Sequence, residues 1–146
     1  MKFALNIDPD CVEAVVNVRA AAIDERVRAI EAIALGAHSS TIAGYRDGQI
    51  KIVELRYAQR FFTNNKKVYV SMDDGIWQIR HRMFELEEIL PLRNFVRISQ
   101  SDIVNIRAID RVETSFTTSL VVVLKDGTRC PISRRYLSAF KRAIGI

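Results

Sequence analysis

The sequence predicts an α+β fold that is mainly β: small antiparallel sheets stacked together with two short helices, preceded by an N-terminal β-hairpin plus helix. Three observations carry this expectation. Asp-Gly dipeptides at Asp47-Gly48, Asp74-Gly75 and Asp126-Gly127 each separate two short apolar runs, and such a dipeptide supplies the positive φ that a tight hairpin turn demands. Two later segments switch to helical spacing. No apolar run approaches the about 20 residues of a bilayer-spanning helix, so the strands must bury their apolar faces on each other.

Residues 1–36 read as a small α/β piece. Phe3, Leu5 and Ile7 alternate, Asp8-Pro9-Asp10 is a turn, and Val12, Ala14, Val16 and Val18 alternate again. Asp24 is a candidate N-cap; Val27, Ile30 and Ala34 mark one helical face, and Gly36 closes it. Two strands and a helix bury little alone, which makes this piece a candidate for packing, dimerisation or regulation. Residues 37–146 form the main domain. Runs 42–46 and 50–53, 68–72 and 76–79, and 120–124 and 129–132 flank the three turns. In RHRMFELEEIL, Ile79, Met83, Leu86 and Leu90 recur at helical spacing until Pro91 stops the helix. In SRRYLSAFKRAIG, Ser133 can cap the first turn, Leu137, Phe140 and Ile144 form the buried stripe, and Gly145 ends it.

With 49% hydrophobic and 27% charged residues in 146, the chain can build a real core as a globular protein. The N-terminus turns polar too early for a signal peptide, so a cytoplasmic protein is expected. Cys11 and Cys130 lie far apart and form no motif, and His38 and His81 stand apart from both; neither a metal site nor a cofactor is indicated. There is no Gly-rich phosphate loop and no nucleophile signature. Glu85, Glu87 and Glu88 read as a solvated helical face, so an enzyme is not expected. The formal charge of +5 is uneven: residues 1–36 carry four Lys/Arg against six Asp/Glu, whereas residues 37–146 carry eighteen against eleven. The basic body is therefore the part that suits a polyanion.

Three polar groups interrupt the apolar runs. They are Asn64, Asn65, Lys66 and Lys67; Arg97, Ser99, Gln100 and Ser101; and Ser133, Arg134 and Arg135. Lys and Arg neutralise phosphates, Arg can fork onto guanine, and Asn or Gln can pair with adenine. Serine hydroxyls hold phosphate oxygens. Each group also has a bland reading, as a hairpin loop, a turn or a capped helix start. Their weight as a DNA-binding set comes from occurring together in one basic domain.

Residues 95–105, FVRISQSDIVN, followed by VVVLKDGTRCPISRRYLSAFKRAIG, resemble the second half of the LytTR family of DNA-binding domains, whose pattern runs F-x-R-I-H-R-S-x-I-V-N, then x-L-x-D-G, then P-[IV]-S-R-R-Y and a short helix. LRYAQRFFTNNKKVYVSMDDG and RHRMFELEEILPLRNF resemble its first half more loosely, so the likeness covers residues 37–146. The chain departs from the pattern at SQS, where His-Arg-Ser is common, and at Asp102, where an aromatic often sits. The resemblance implies a LytTR-like stack of small sheets that offers loops, rather than a recognition helix, to successive major grooves of direct-repeat DNA, bound by two copies in tandem. It implies that Arg135 reads bases, that Gln100 reads bases or Ser99 holds phosphate, and that Lys66 with Asn65 fills the first loop. Arg97 and Arg134 become phosphate contacts or supports, while Asn105 serves backbone hydrogen bonding. Residues 1–36 are too few for the receiver domain of most relatives. The chain thus resembles a stand-alone LytTR-type transcriptional regulator, with a homodimer or a small membrane protein inhibitor as candidate partners of the N-terminal piece. A protein-interaction module with a degraded DNA surface is the alternative. An RNA-binding domain lacks support, because no RNP-like Gly-aromatic motif is present.

Overall fold

The computed structural model describes residues 2–12, 15–34, 41–91, 93–114 and 119–146. The chain divides into two compact units, Met1–Ala37 and His38–Ile146.

In the first unit the only regular element among the described residues is helix α1, Glu25–Ala34. Asp24 caps it as expected, its Oδ1 accepting the Val27 N–H at 2.9 Å. The Asp8–Asp10 turn is also present, with Asp10 N–H donating to Asp8 Oδ1 at 3.0 Å. The expected hairpin is not: residues 2–12 and 15–24 contain no strand. The alternating residues are instead exposed, Phe3 at 88% and Val16 at 58%. Two short strands without a third strand or a covering surface are not stable in water, so alternation alone did not make them pair. Ala14 and Gly36, read as part of the second strand and as the helix stop, lie outside the described residues.

The second unit is antiparallel β-structure. Its described strands are β1 Thr41–Arg46, β2 Gln49–Glu54, β3 Arg60–Asn64, β4 Lys67–Met72, β5 Gly75–Ile79, β6 Phe95–Arg97, β7 Asp102–Asn105, β8 Ile109–Thr114, β9 Leu120–Leu124 and β10 Arg129–Pro131. They form a seven-stranded sheet in the order β2-β1-β5-β4-β3-β7-β6 and a three-stranded sheet in the order β10-β9-β8. Helix α2, Met83–Ile89, and helix α3, Leu137–Ile144, complete the unit. The Asp-Gly turns sit where the sequence places them. Asp47 and Gly48 both take positive φ, 48° and 76°, as a two-residue hairpin requires. At the β4–β5 turn only Gly75 does so, at 114°.

Two cores result. Phe61, Val70, Leu86, Phe95 and Ile103 belong to one, against α2; Val96, Ile98, Val104, Val122, Cys130 and Phe140 belong to the other, against α3. Neighbouring residues of a strand point to opposite faces. Thus Phe95 and Ile103 enter the first core while Val96 and Val104 enter the second, and the β6–β7 pair is clamped between them. In α3, Phe140 is fully buried and Leu137 and Ile144 pack beside it, as the stripe predicts. Gly145, at φ 82°, ends that helix.

Two local expectations need correction. Ile79 is the last residue of β5 and not the start of the α2 stripe, because Val68 pairs with it in register. Ser133 makes no side-chain cap bond; residues Arg134–Tyr136 form a 3-10 turn closed by Tyr136 N–H on the Ser133 carbonyl at 3.0 Å. A tight turn already satisfies the amide that a capping hydroxyl would take.

Candidate nucleic-acid interface

The first polar group is a two-residue hairpin turn. Asn64 pairs with Lys67 across β3 and β4, and Asn65 and Lys66 adopt φ of 49° and 65°. Left-handed backbone is cheap for Asn and costs a lysine about 1–2 kcal/mol. All four side chains from Asn64 to Lys67 are exposed. Below the turn, Phe62 stacks on Tyr69 with centroids 5.6 Å apart, and Arg60 lies 4.1 Å from the Phe62 ring.

The second group, between β6 and β7, is held from several sides. Arg97 Nε donates to the Ser99 carbonyl at 2.9 Å, and Nη2 to the Gln100 carbonyl at 2.7 Å. Its Nη1 pairs with Glu87 of α2 at 3.0 Å. The Ser99 and Ser101 hydroxyls both reach Asp102 Oδ2, at 3.2 and 3.1 Å, and lie 3.2 Å from each other. Asp102 Oδ1 in turn accepts from Arg60 at 2.8 Å, with side chains only 16% and 20% exposed. Gln100 alone of this group is exposed. Asn105, 4% exposed, donates to the Ala58 carbonyl at 2.8 Å and accepts the Arg107 N–H at 2.9 Å. Its backbone role is as the sequence suggests.

The third group follows β10. Arg134 and Arg135 are exposed, and Arg135 sits 5.7 Å from the Tyr136 ring. Neither arginine, nor Lys66 or Lys67, forms an ion pair among the described residues. Their charge is therefore uncompensated at close range.

Backbone hydrogen bonds join the three groups at one end of the strands. The Thr63 N–H donates to the Ser101 carbonyl at 3.0 Å, tying the first turn to the second. The Ser133 N–H donates to the Ile98 carbonyl at 2.9 Å, tying the third to the same loop. The Ser99–Ser101 loop is thus the centre, flanked by Asn64–Lys67 on one side and Ser133–Arg135 on the other.

Sequence reasoning missed the supports. Arg60 is forty-two residues from Asp102, and no local pattern reveals a pair that meets only through strand register. Asp102 looked like a departure in packing; it is the acceptor that organises the loop. Glu85 and Glu87 are not merely a solvated face either. Glu85 accepts the Arg82 N–H at 3.2 Å at the start of α2, and Glu87 holds Arg97. Cys130, buried behind the loop, lies 3.6 Å from Arg60, and burial pushes its thiol above the ordinary range.

Among the described residues no helix is long and apolar enough to cross a membrane. Nor do any two of the helices α1, α2 and α3 follow each other across a short turn. The LytTr DNA-binding domain family matches residues 48–145. An uncharacterized HTH-type transcriptional regulator of Staphylococcus aureus strain bovine RF122 / ET3-1 is 31% identical, covering 100% of this chain and 99% of the relative. A protein of the same description from Staphylococcus aureus strain MRSA252 is 30% identical over the same shares. A solved LytTr DNA-binding domain from Bacillus cereus superposes with a TM-score of 0.70 at 23% identity, covering 74% of this chain and 99% of the other. Fold, sequence and relatives agree, and the chain belongs to the LytTR family of DNA-binding domains.

Proposed function

We propose that this chain is a transcriptional regulator that binds double-stranded DNA in a sequence-specific way, inserting loops into successive major grooves of direct-repeat sites. The observation that carries the proposal is the pair of backbone hydrogen bonds through the Ser99–Ser101 loop, which sets three polar groups side by side at one end of the strands. Lys66, Lys67, Arg134 and Arg135, which form no ion pair among the described residues, supply phosphate neutralisation on both flanks. Arg135 beside Tyr136 and Gln100 at the loop tip supply base readout. The names of the Staphylococcus aureus relatives support a role in transcription. Direct repeats imply two copies in tandem on DNA without requiring a stable dimer in solution.

The N-terminal unit supports a regulatory role. Its exposed apolar residues, Leu5, Ile7, Val15 and Ile33 among them, suit a second copy or a small membrane protein inhibitor. Comparing capture of a co-expressed membrane protein by the full chain and by residues 37–146 tests this; equal capture removes the N-terminal unit from the account.

The test of the main proposal is fluorescence anisotropy of the full chain on its own upstream DNA and on an unrelated duplex, across several salt concentrations, beside Arg135→Ala. Preference for the upstream DNA that collapses in the variant is the expected result. A steep salt slope without preference leaves only a basic surface. No binding at low salt moves the assignment to a protein-interaction module.

A further inference from the structure

Ser99 and Ser101 look like phosphate ligands, but the geometry around Asp102 says otherwise. A hydroxyl has one hydrogen to donate. Ser99 Oγ and Ser101 Oγ lie 3.2 and 3.1 Å from Asp102 Oδ2 and 3.2 Å from each other. Each hydroxyl hydrogen has an acceptor inside this triangle, either Asp102 Oδ2 or the other hydroxyl. One lone pair of Ser99 Oγ is also taken, by the Ser101 N–H at 3.2 Å. Arg97, the cation nearest the tip, directs three of its five N–H donors to the Ser99 and Gln100 carbonyls and to Glu87. With their hydrogens so directed, the Ser99 and Ser101 hydroxyls offer none to a phosphate oxygen. The outward hydroxyl lone pairs and the Asp102 charge behind them favour a hydrogen-bond donor and disfavour an anion.

From this we infer that Asp102, held by Arg60, makes the Ser99–Ser101 loop a reader of an exocyclic amino group in the major groove, with Gln100 paired to an adenine, and not a phosphate clamp. Asp102 and Arg60 are positioning residues in this scheme, and Gln100 is the residue that touches the base. The inference rests on the DNA-binding reading given above. Gln can bond adenine N6 and N7 together, and adenine and cytosine are the bases that present an amino donor in that groove. Arg60 does not cancel the preference: it lies on the far oxygen, Oδ1, and leaves Oδ2 to the serines.

The experiment uses the full chain and two duplexes, its upstream DNA and an unrelated one, with thermal melts to confirm folding. Ser99→Ala/Ser101→Ala should bind the unrelated duplex within about twofold of wild type, because the hydroxyls give phosphate nothing. Asp102→Ala should bind that duplex more tightly and lose about tenfold of its preference for upstream DNA. Adding the two serine changes to Asp102→Ala should abolish the gain. In the upstream duplex, purine in place of each adenine in turn, which removes only the amino group, should reveal a position sensitive in wild type and insensitive in Gln100→Ala. Weakened unrelated-duplex binding by the double serine variant overturns the inference. So does a gain in Asp102→Ala that survives removal of the serines, which is charge alone. Where Asp102→Ala fails to fold, the double serine variant and the purine scan decide. Wild type without preference for any duplex defeats the DNA-reading proposal itself, while the serine comparison on the unrelated duplex still tests whether the hydroxyls are consumed.

Discussion

Replacing Asn105 with alanine separates scaffold from interface. The side chain is 4% exposed and closes two short bonds, donating to the Ala58 carbonyl at 2.8 Å and accepting the Arg107 N–H at 2.9 Å, beside a longer one to the Arg56 carbonyl at 3.5 Å. Alanine frees both backbone groups, each at a cost of about 1–3 kcal/mol if it stays buried and unpaired. An open groove lined by Ala58, Gln59, Asn105 and Arg107 adjoins them, so water can reach at least one. The expected loss is therefore about 2–4 kcal/mol, the lower half of the about 2–6 kcal/mol that two such groups would cost. For a unit of this size that lowers the melting temperature by about 10–20 °C. Circular dichroism on the full chain reads the shift, and anisotropy well below the transition reads DNA affinity. Asn105 lies at the far end of β7 from the Ser99–Ser101 loop, so affinity should hold within about twofold. A melting temperature unchanged to within about 2 °C, or lost affinity in a folded variant, would refute the assignment and put Asn105 at the interface.

The Ser99–Ser101 loop should divide between its base and its tip: Ile103→Asp, at a position 2% exposed, should unfold the main domain in a thermal melt, whereas Gln100→Ala should melt within about 0.5 kcal/mol of wild type and bind DNA more weakly. Equal stability losses would sink that division. Lys66→Gly should leave stability unchanged or raise it by up to about 1 kcal/mol, because glycine relieves φ 65°. The same change should flatten the salt slope by about 0.9, one phosphate contact. A less stable variant with an unchanged slope contradicts both halves. Burial raises the Cys130 pKa, a shift that Asp102 reinforces and Arg60 opposes. The folded state therefore holds this proton longer than the unfolded chain; its contribution to stability is complete below the unfolded value and declines as pH rises toward the folded one. Wild type should lose melting temperature from about pH 9 upward, and Cys130→Ala less steeply. Identical slopes would rule the thiol out. At neutral pH a thiol reagent should modify exposed Cys11 first.

Legibility in the sequence followed the range of each interaction. The Asp-Gly turns, the α3 stripe and the Gly145 stop are local, and backbone geometry forces them wherever they occur. The N-terminal alternation was equally plain, yet made no strand. Pairing needs a neighbour, and Phe3, Leu5 and Ile7 stay exposed. Ile79 fitted both a strand and a helix period; register with Val68 decided it. The three polar groups could be picked out by residue type, but their order could not. The bonds from Thr63 and Ser133 to one loop join residues 38 and 35 positions apart. The supports were least legible, since Arg60 acquires its role only where β3 lies beside β7.

A polar triplet between two buried runs makes physical sense once both cores are considered. Strands β6 and β7 are gripped on both faces, by Phe95 and Ile103 on one and by Val96 and Val104 on the other. A loop at the end of such a pair can neither slide nor tilt without disturbing two packed interiors. Residues at its base must still satisfy their own polar groups in a place with little water, and Asp102, Arg97 and Arg60 do so. Rigidity and polar satisfaction are thus met by the same few side chains, and the one left over, Gln100, projects from a fixed point. Little entropy remains to be lost there when a ligand binds, so a single neutral side chain can discriminate where a mobile loop would need charge to hold it. Under the proposed function, SQS can thus replace a more basic triplet without making the loop idle: the flanking turns carry the charge, and the centre carries the geometry.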